Sequence, residues 1–166
     1  MMIMYKILFV CTANICRTPM AEYYLNSLVA KEDLEEMILV ESAGTWAIDG
    51  APAAEYSQKV CAEIGLDLSS HRSRPIDLYL VKQADLVLCM SVEHKNDLIQ
   101  VFPHLQDKIF TLKEYNNKSP QNSISIADPY GRSLERYRET CEIISREIRR
   151  IFPEIKKNTR EKCLVN

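Results

Sequence analysis

The segment YKILFVCTANICRTPMAEYYLNSLVAK, residues 5–31, decides the fold. Its first six residues form a short apolar run of β-forming type, and Met20, Tyr24 and Leu28 recur afterwards at helical spacing. Between these patterns lies a short polar loop, after which Pro19 stands where the first turn of a helix accepts proline. The segment therefore predicts a strand, a tight loop and a helix.

Strand and helix patterns continue to alternate along the rest of the chain. The further predicted elements are strands over 38–42, 85–90 and 108–112, and helices over 53–64, 76–83, 91–102 and 134–151. Because strands that alternate with helices form parallel pairs, the pattern predicts an α/β, doubly wound, three-layer fold. We expect a four-stranded parallel sheet with helices on both faces and ligand binding beyond the carboxyl ends of the strands.

The domain boundaries follow from the same alternation and from charge. No internal repeat or linker interrupts the pattern, so residues 1–152 are expected to form one domain. Residues 149–166 hold six Lys or Arg and two Glu, which predicts that residues 153–166 form a basic, solvated tail.

Composition narrows the class of protein. The 166 residues are 46% apolar, enough for one buried core, and the formal charge is −2, from 21 basic and 23 acidic residues. Near-balance argues against a nucleic-acid binder, and no apolar run is long enough to cross a membrane. The N-terminal residues lack a signal-peptide pattern, so we expect a cytoplasmic protein with reduced cysteines. Three of the six cysteines, Cys61, Cys89 and Cys141, are expected to be buried packing residues.

The loop that follows the first strand carries the chemistry. A loop that leads from a strand into a helix N-terminus can turn several backbone N–H groups inward as an anion cradle. Arg17 can donate two N–H bonds to an oxyanion, and Cys11 faces the same cavity, where its thiol is expected to lose its proton. The loop therefore predicts a nucleophile placed under a bound phosphoryl group. The Thr18 hydroxyl is positioned to donate to the Cys11 sulfur and ease its later departure.

The sequence CTANICRTPMAE, residues 11–22, resembles the active-site signature of the low-molecular-weight protein tyrosine phosphatases. Three further motifs match that family in its order: Ser42-Ala-Gly-Thr45, His71-Arg-Ser-Arg74 and Asp128-Pro-Tyr130. The likeness runs from about Lys6 to Ile151 and implies a flavodoxin-like fold.

The resemblance implies a role for each motif residue. Cys11 attacks phosphorus, Arg17 and the loop amides hold the phosphoryl oxygens, and Asp128 acts as general acid and then general base. The implied loop, which also binds inorganic phosphate and other oxyanions, comprises Thr12, Ala13, Asn14, Ile15, Cys16, Arg17 and Thr18. Asn14, Ser42 and His71 are the implied supporting hydrogen-bond network. Because the cradle and Arg17 neutralise the charge, we expect no metal and no cofactor.

The residues around the loop bear on the substrate. Ile15, Trp46 and Tyr130 are expected to form the pocket wall, and an apolar Ile15 favours the phenyl ring of phosphotyrosine in proteins. One branch of the family dephosphorylates arginine and tends to carry Thr where this chain has Ile15, so a protein-arginine phosphatase is the alternative. An arsenate reductase is less favoured because no cysteine follows Cys89 within the next helix. A phosphopeptide-binding module is disfavoured because both Cys11 and Asp128 are present.

Two expectations concern redox state and partners. Cys16 is the predicted partner of Cys11 in a reversible disulfide that shields the nucleophile from irreversible oxidation. Apart from phosphoprotein substrates, we expect no nucleic-acid or membrane partner, and a monomer or weak dimer.

Overall fold

The computed structural model describes residues 3–119 and 123–165; Met1, Met2 and Asn166, at the ends of the predicted domain and tail, lie outside this part. Its elements are β1 (Tyr5–Cys11), α1 (Arg17–Lys31), β2 (Ile38–Gly44), α2 (Glu55–Glu63), α3 (Leu78–Gln83), β3 (Leu86–Cys89), α4 (Val92–Val101), β4 (Ile109–Thr111) and α5 (Leu134–Val165). A 3-10 helix over Pro103–Lys108 precedes β4. The predicted order of strands and helices is confirmed, with most boundaries within a few residues.

The four strands form one parallel sheet in the order β2-β1-β3-β4. Alternate residues of β1 enter different cores: Ile7 and Phe9 pack with α1, α2 and α5, whereas Leu8 and Val10 pack with α3 and α4. Because both faces of the sheet are covered, β1 reads as a continuous apolar run, which is typical of buried parallel strands. The predicted doubly wound α/β fold is therefore confirmed.

The topology also marks one place on the sheet. From β1 the chain crosses first to β2 on one side and later to β3 on the other, so Val10 pairs with both Ala43 and Cys89. In open α/β sheets, ligands bind in the crevice at the carboxyl ends of the strands where the strand order reverses. That crevice lies at the end of β1, where the loop of residues 12–16 begins.

The C-terminal segment differs from the prediction. Instead of ending at Ile151, α5 continues to Val165, although Pro153 lies in its interior and cannot donate a helical hydrogen bond. Its buried stripe extends through Ile155 and Thr159, which are 0% and 1% exposed. The prediction of a solvated tail is wrong because basic side chains here pair with the body of the protein, as Lys156 does with Glu32 at 2.9 Å.

The cysteines lie as the composition suggested. Cys61, Cys89 and Cys141 are buried, and all six cysteines are free thiols in the structure.

Among the described residues, no helix combines the length and the apolar character that crossing a bilayer requires.

Candidate active site

A cavity of about 240 Å³ lies over the loop that joins β1 to α1. Eight residues line it: Cys11, Thr12, Ala13, Ile15, Cys16, Arg17, Asp128 and Tyr130. Six of these come from a single stretch of seven residues, so the loop itself forms the base of the cavity. The other two come from the segment before α5, which closes one side.

The carbonyl groups of this loop are held away from the cavity by donors on its outer side. The pairs are Thr45 N with Cys11 O (2.9 Å), Trp46 N with Thr12 O (2.9 Å), His71 Nε2 with Asn14 O (2.7 Å), Ala54 N with Ile15 O (2.8 Å) and Ser57 Oγ with Cys16 O (3.2 Å). Because the N–H and C=O of a trans peptide unit point in opposite directions, the amide that follows each carbonyl turns inward. The loop thus presents a ring of N–H donors, which is an anion cradle.

Gly44 permits the close approach of β2 to this loop. A Cβ atom at residue 44 would lie 2.3 Å from the Thr12 carbonyl oxygen and 3.0 Å from the Asn14 amide nitrogen. Both are backbone atoms, which cannot swing aside as the end of a side chain can. A glycine is therefore required at this position for the loop to keep its shape.

Asn14 is the centre of a hydrogen-bond network beneath the loop. Its φ angle is +57°, in the left-handed region, and its side chain is fully buried. The side-chain Nδ2 of Asn14 donates to Thr18 Oγ1 at 2.8 Å and to Ser42 Oγ at 2.9 Å, and its Oδ1 accepts from the backbone amide of Arg74 at 3.0 Å. With the bond between His71 Nε2 and the Asn14 carbonyl, the structure brings together Asn14, Ser42 and His71, the three residues that the family resemblance implied for this network.

Glu22 is a member of this network that the sequence reasoning missed. Its carboxylate accepts a short hydrogen bond from Ser42 and lies 3.9 Å from His71 Nδ1. Burial raises the pKa of Glu22 and lowers the pKa of His71, so the surroundings favour the neutral form of each side chain. Glu22 is the last residue of the motif CTANICRTPMAE, and its place in that motif is the sequence signal by which it could have been found.

Cys11 and Arg17 lie at the base of the cavity. The Cys11 sulfur is 3.0 Å from Thr18 Oγ1, and the residue is 2% exposed. Arg17 donates from Nη1 to the Ile126 carbonyl at 3.0 Å. Its Nε is buried and has no hydrogen-bond partner within the described part of the chain. A buried N–H without a protein acceptor is costly unless a ligand oxygen accepts it, so the guanidinium is suited to an oxyanion in the cavity.

Asp128 stands at the mouth of the same cavity. Its Oδ2 lies 3.5 Å from Arg17 Nη2, its Oδ1 accepts from the Tyr130 amide at 3.1 Å, and its side chain is 49% exposed. The turn bond to Tyr130 fixes the carboxyl in direction, while its exposure leaves it open to a substrate or to water. The arrangement of thiol, anion cradle and carboxyl is suited to attack on phosphorus with proton transfer at the leaving oxygen.

The predicted pocket wall is only partly assembled. Ile15 and Tyr130 line the cavity, but Trp46 does not. Its main chain is held against the loop by the bond from Trp46 N to Thr12 O, and the residue is 82% exposed to solvent. The expectation that Trp46 forms part of the pocket wall is therefore wrong. Trp46 reaches the loop of residues 12–16 through its backbone amide.

Two further contacts were not foreseen from the sequence. The Cys16 sulfur lies 3.5 Å from the Tyr137 hydroxyl on α5, and burial raises the pKa of Cys16 to about 11. His94 on α4 lies 2.8 Å from the Thr12 hydroxyl, and burial, followed by the charge of Arg17, lowers the pKa of His94 to about 4. Neither contact has a local sequence signal, because the partners are separated by 121 and 82 residues.

The fold and the site define a class of protein: the phosphatases that carry a cysteine at the base of a phosphate-binding loop. Comparisons with known proteins agree with this class. A family model described as "Low molecular weight phosphotyrosine protein phosphatase" matches residues 6–161, and the chain belongs to this family.

Individual relatives carry two different names. A protein of Bacillus subtilis named protein-arginine-phosphatase is 36% identical over 154 residues, which is 93% of this chain and 99% of the relative. A low molecular weight protein-tyrosine-phosphatase of Acinetobacter johnsonii is 36% identical over 139 residues, covering 84% and 89%. Among solved structures, a low molecular weight protein tyrosine phosphatase from T. tengcongensis superposes with a TM-score of 0.82 at 37% identity, covering 90% of this chain and 98% of that one.

Proposed function

We propose that this chain hydrolyses phosphotyrosine in proteins through a cysteinyl-phosphate intermediate. The observation that carries the proposal is the shared cavity: Cys11 and Arg17 lie at its base, the loop amides turn into it, and Asp128 stands at its mouth. These positions support a role for each group in phosphoryl transfer.

The first step forms the S–P bond and breaks the bond between phosphorus and the phenolic oxygen. The Cys11 thiolate attacks phosphorus in line, and Asp128 gives its proton to the departing phenolic oxygen. The dephosphorylated tyrosine of the substrate then leaves. Arg17 and the inward amides hold the phosphoryl oxygens and stabilise the charge that grows on them. No metal ion is required for this, because fixed N–H dipoles and the guanidinium supply the positive field.

The second step reverses the roles. Asp128, now a carboxylate, takes a proton from water, which attacks phosphorus and releases inorganic phosphate. The Cys11 sulfur leaves as a thiolate, and the Thr18 hydroxyl 3.0 Å away donates to it. The enzyme returns to its starting state with one water consumed.

The wall of the cavity supports a phenyl leaving group. Ile15 offers only carbon atoms, and Tyr130, which is largely exposed, can stack on an aromatic ring. The second candidate is phosphoarginine in proteins, which the name of the Bacillus subtilis relative suggests. A guanidinium needs hydrogen-bond acceptors along its edge, and Ile15 supplies none.

The test compares phosphate release from a phosphotyrosine peptide and from an arginine-phosphorylated protein, for wild type and for Ile15→Thr. We expect wild type to prefer phosphotyrosine, with Ile15→Thr shifting the preference towards phosphoarginine. Cys11→Ser should abolish turnover of both, and Asp128→Asn should slow phenyl esters with poor leaving groups most. A wild-type preference for phosphoarginine would overturn the substrate assignment, and turnover by Cys11→Ser would overturn the mechanism.

We also propose that Cys16 protects the nucleophile in a reducing compartment such as the cytoplasm. Peroxide would convert the Cys11 thiolate to a sulfenic acid, and attack by the Cys16 sulfur would expel water and form a disulfide between them. Burial raises the pKa of Cys16 to about 11, so its thiol is protonated at neutral pH and reacts slowly with peroxide. Two-electron reduction by a thiol would then restore both residues.

A further inference from the structure

A second pair of cysteines lies outside the active site, where α2 packs against α5. Cys61 on α2 and Cys141 on α5 are 0% and 6% exposed, and their thiol groups interact directly with each other. Both belong to the same cluster of buried residues. A buried cysteine usually packs as a small apolar residue, whereas two thiols in contact are the starting arrangement for a disulfide.

Other contacts hold the two helices together around this pair. The rings of Tyr56 and Tyr137 meet edge to face, with 5.4 Å between their centres. The guanidinium of Arg138 donates two hydrogen bonds of 2.9 Å to the Glu63 carboxylate. Because each of these contacts joins α2 to α5, the backbone positions of the two cysteines are fixed relative to each other.

A cavity of about 450 Å³ between α1, α2 and α5 gives access to one of the two thiols. Cys141 lines this cavity, whereas Cys61 does not and is fully buried. Hydrogen peroxide is small and uncharged, so it needs no charged group to enter such a space. An oxidant in the cavity therefore meets the Cys141 sulfur first.

The contact between the thiols also affects their reactivity. Interaction with Cys61 lowers the pKa of Cys141, and the same interaction, followed by burial, raises the pKa of Cys61. The physical reason is that once one sulfur has lost its proton, the neighbouring S–H donates to it and keeps its own. Because the thiolate is the form that peroxide oxidises, the thiol that lines the cavity is also the more reactive one.

We propose that Cys141 is a second peroxide-reactive thiol of this protein, and that Cys61 converts its oxidised form into a disulfide between α2 and α5. Peroxide oxidises the Cys141 sulfur to a sulfenic acid and is itself reduced to water. The Cys61 sulfur then attacks the Cys141 sulfur, and the sulfenic oxygen leaves as a second water with the proton of Cys61. In sum, two thiols and one peroxide give one disulfide and two waters.

The place of this pair suggests what the disulfide does. One turn before Cys61 on α2, the Ser57 hydroxyl donates to the Cys16 carbonyl at 3.2 Å. One turn before Cys141 on α5, the Tyr137 hydroxyl lies 3.5 Å from the Cys16 sulfur. The disulfide therefore ties together the two helices that hold Cys16, and it closes a loop of about 80 residues, which stabilises the folded chain.

The first test is peptide mass spectrometry after peroxide treatment and digestion without reductant. We expect a peptide that links Cys61 to Cys141, in wild type and in Cys11→Ser, and dithiothreitol should remove it. The fully buried thiol of Cys89 serves as the internal control. The linked peptide should form at peroxide concentrations that leave Cys89 reduced, because the reaction takes place in the folded protein.

Two variants test the separate roles of the cysteines. In Cys61→Ala, Cys141 has no partner, so its sulfenic acid should be captured by dimedone and proceed to sulfinic acid. In Cys141→Ala, Cys61 should stay reduced, because it does not line the cavity.

Thermal unfolding tests the effect on stability. Cys11→Ser is used because it removes the catalytic thiol and with it the disulfide proposed between Cys11 and Cys16. Its oxidised form should melt about 5–15 °C above its dithiothreitol-reduced form. The same comparison in Cys11→Ser with Cys61→Ala should show no such rise. If that double variant does not fold, the linked peptide and the shift in Cys11→Ser alone still decide the matter.

Three outcomes would overturn the inference. One is oxidation of Cys141 in wild type without a linked peptide. Another is a linked peptide that forms only together with oxidation of Cys89, which would mean that the pair reacts only in unfolded chains. The third is oxidation of Cys61 in Cys141→Ala at the rate found for wild type. None of these measurements uses turnover, so the proposed phosphatase function stands or falls separately.

Discussion

Replacing His94 with glutamine should make the protein markedly less sensitive to acid unfolding. Burial, and then the positive charge of Arg17, lowers the pKa of His94 from 6.5 to about 4. Between these two values the unfolded chain binds a proton that the folded chain does not, so the free energy of unfolding falls as the pH is lowered from 6.5 to 4. At 1.36 kcal/mol for each pKa unit, the loss is about 3 kcal/mol, and it levels off below pH 4.

The assay is urea unfolding at pH 7 and at pH 4, followed by circular dichroism, since the single tryptophan, Trp46, is exposed and would report the core poorly. Wild type should lose about 3 kcal/mol more than His94→Gln between the two pH values. Shifts at His71 and Glu22 occur in both proteins and cancel in the comparison. An equal loss in both proteins would refute the reasoning, because it would mean that His94 is not held neutral by its surroundings.

Three other changes probe separate features. Gly44→Ala would place a Cβ 2.3 Å from the Thr12 carbonyl oxygen; it should cost about 1–3 kcal/mol in urea unfolding and reduce kcat sharply, and full activity would contradict the tight approach. Ile155→Ala should cost about 2–5 kcal/mol because this side chain of α5 is fully buried, whereas the exposed control Arg160→Ala should change stability by less than about 0.5 kcal/mol. Cys16→Ser should make peroxide inactivation irreversible by dithiothreitol; recovery equal to that of wild type would rule out the protective disulfide.

Much of the fold was predictable because local pattern and global structure agree. The apolar run of β1, the cap residue Ser91 and the stripe of α5 up to Ile151 are all local signals, and each gave an element of the right type in the right order. The end of α5 was not predictable in the same way. Pro153 and a run of basic residues are normally signs of a helix end and a solvated segment, and only tertiary packing of Ile155 overrides them.

The candidate site shows the same division. The loop residues were predictable from their place after the first strand and Asp128 from the family resemblance, and the structure places Asp128 and six of the residues from Cys11 to Thr18 around one cavity. The ring direction of Trp46 and the contact between His94 and Thr12 were not, because each depends on how distant segments meet. Nothing in the spacing of Ser91 and His94 reveals that the imidazole reaches a loop 82 residues away.

Because donors from several distant segments anchor the loop carbonyls, the phosphate-binding loop takes its shape only when those segments are folded. Its outer donors come from the segment after β2, from α2 and from His71, so the cradle exists only once these parts have assembled around it. An anion that fills the cradle therefore binds the folded chain and not the unfolded one. At 100 times its dissociation constant, such a ligand adds about 2.7 kcal/mol to the free energy of unfolding. Inorganic phosphate, the product of the proposed reaction, would thus slow turnover and lengthen the lifetime of the enzyme at the same time.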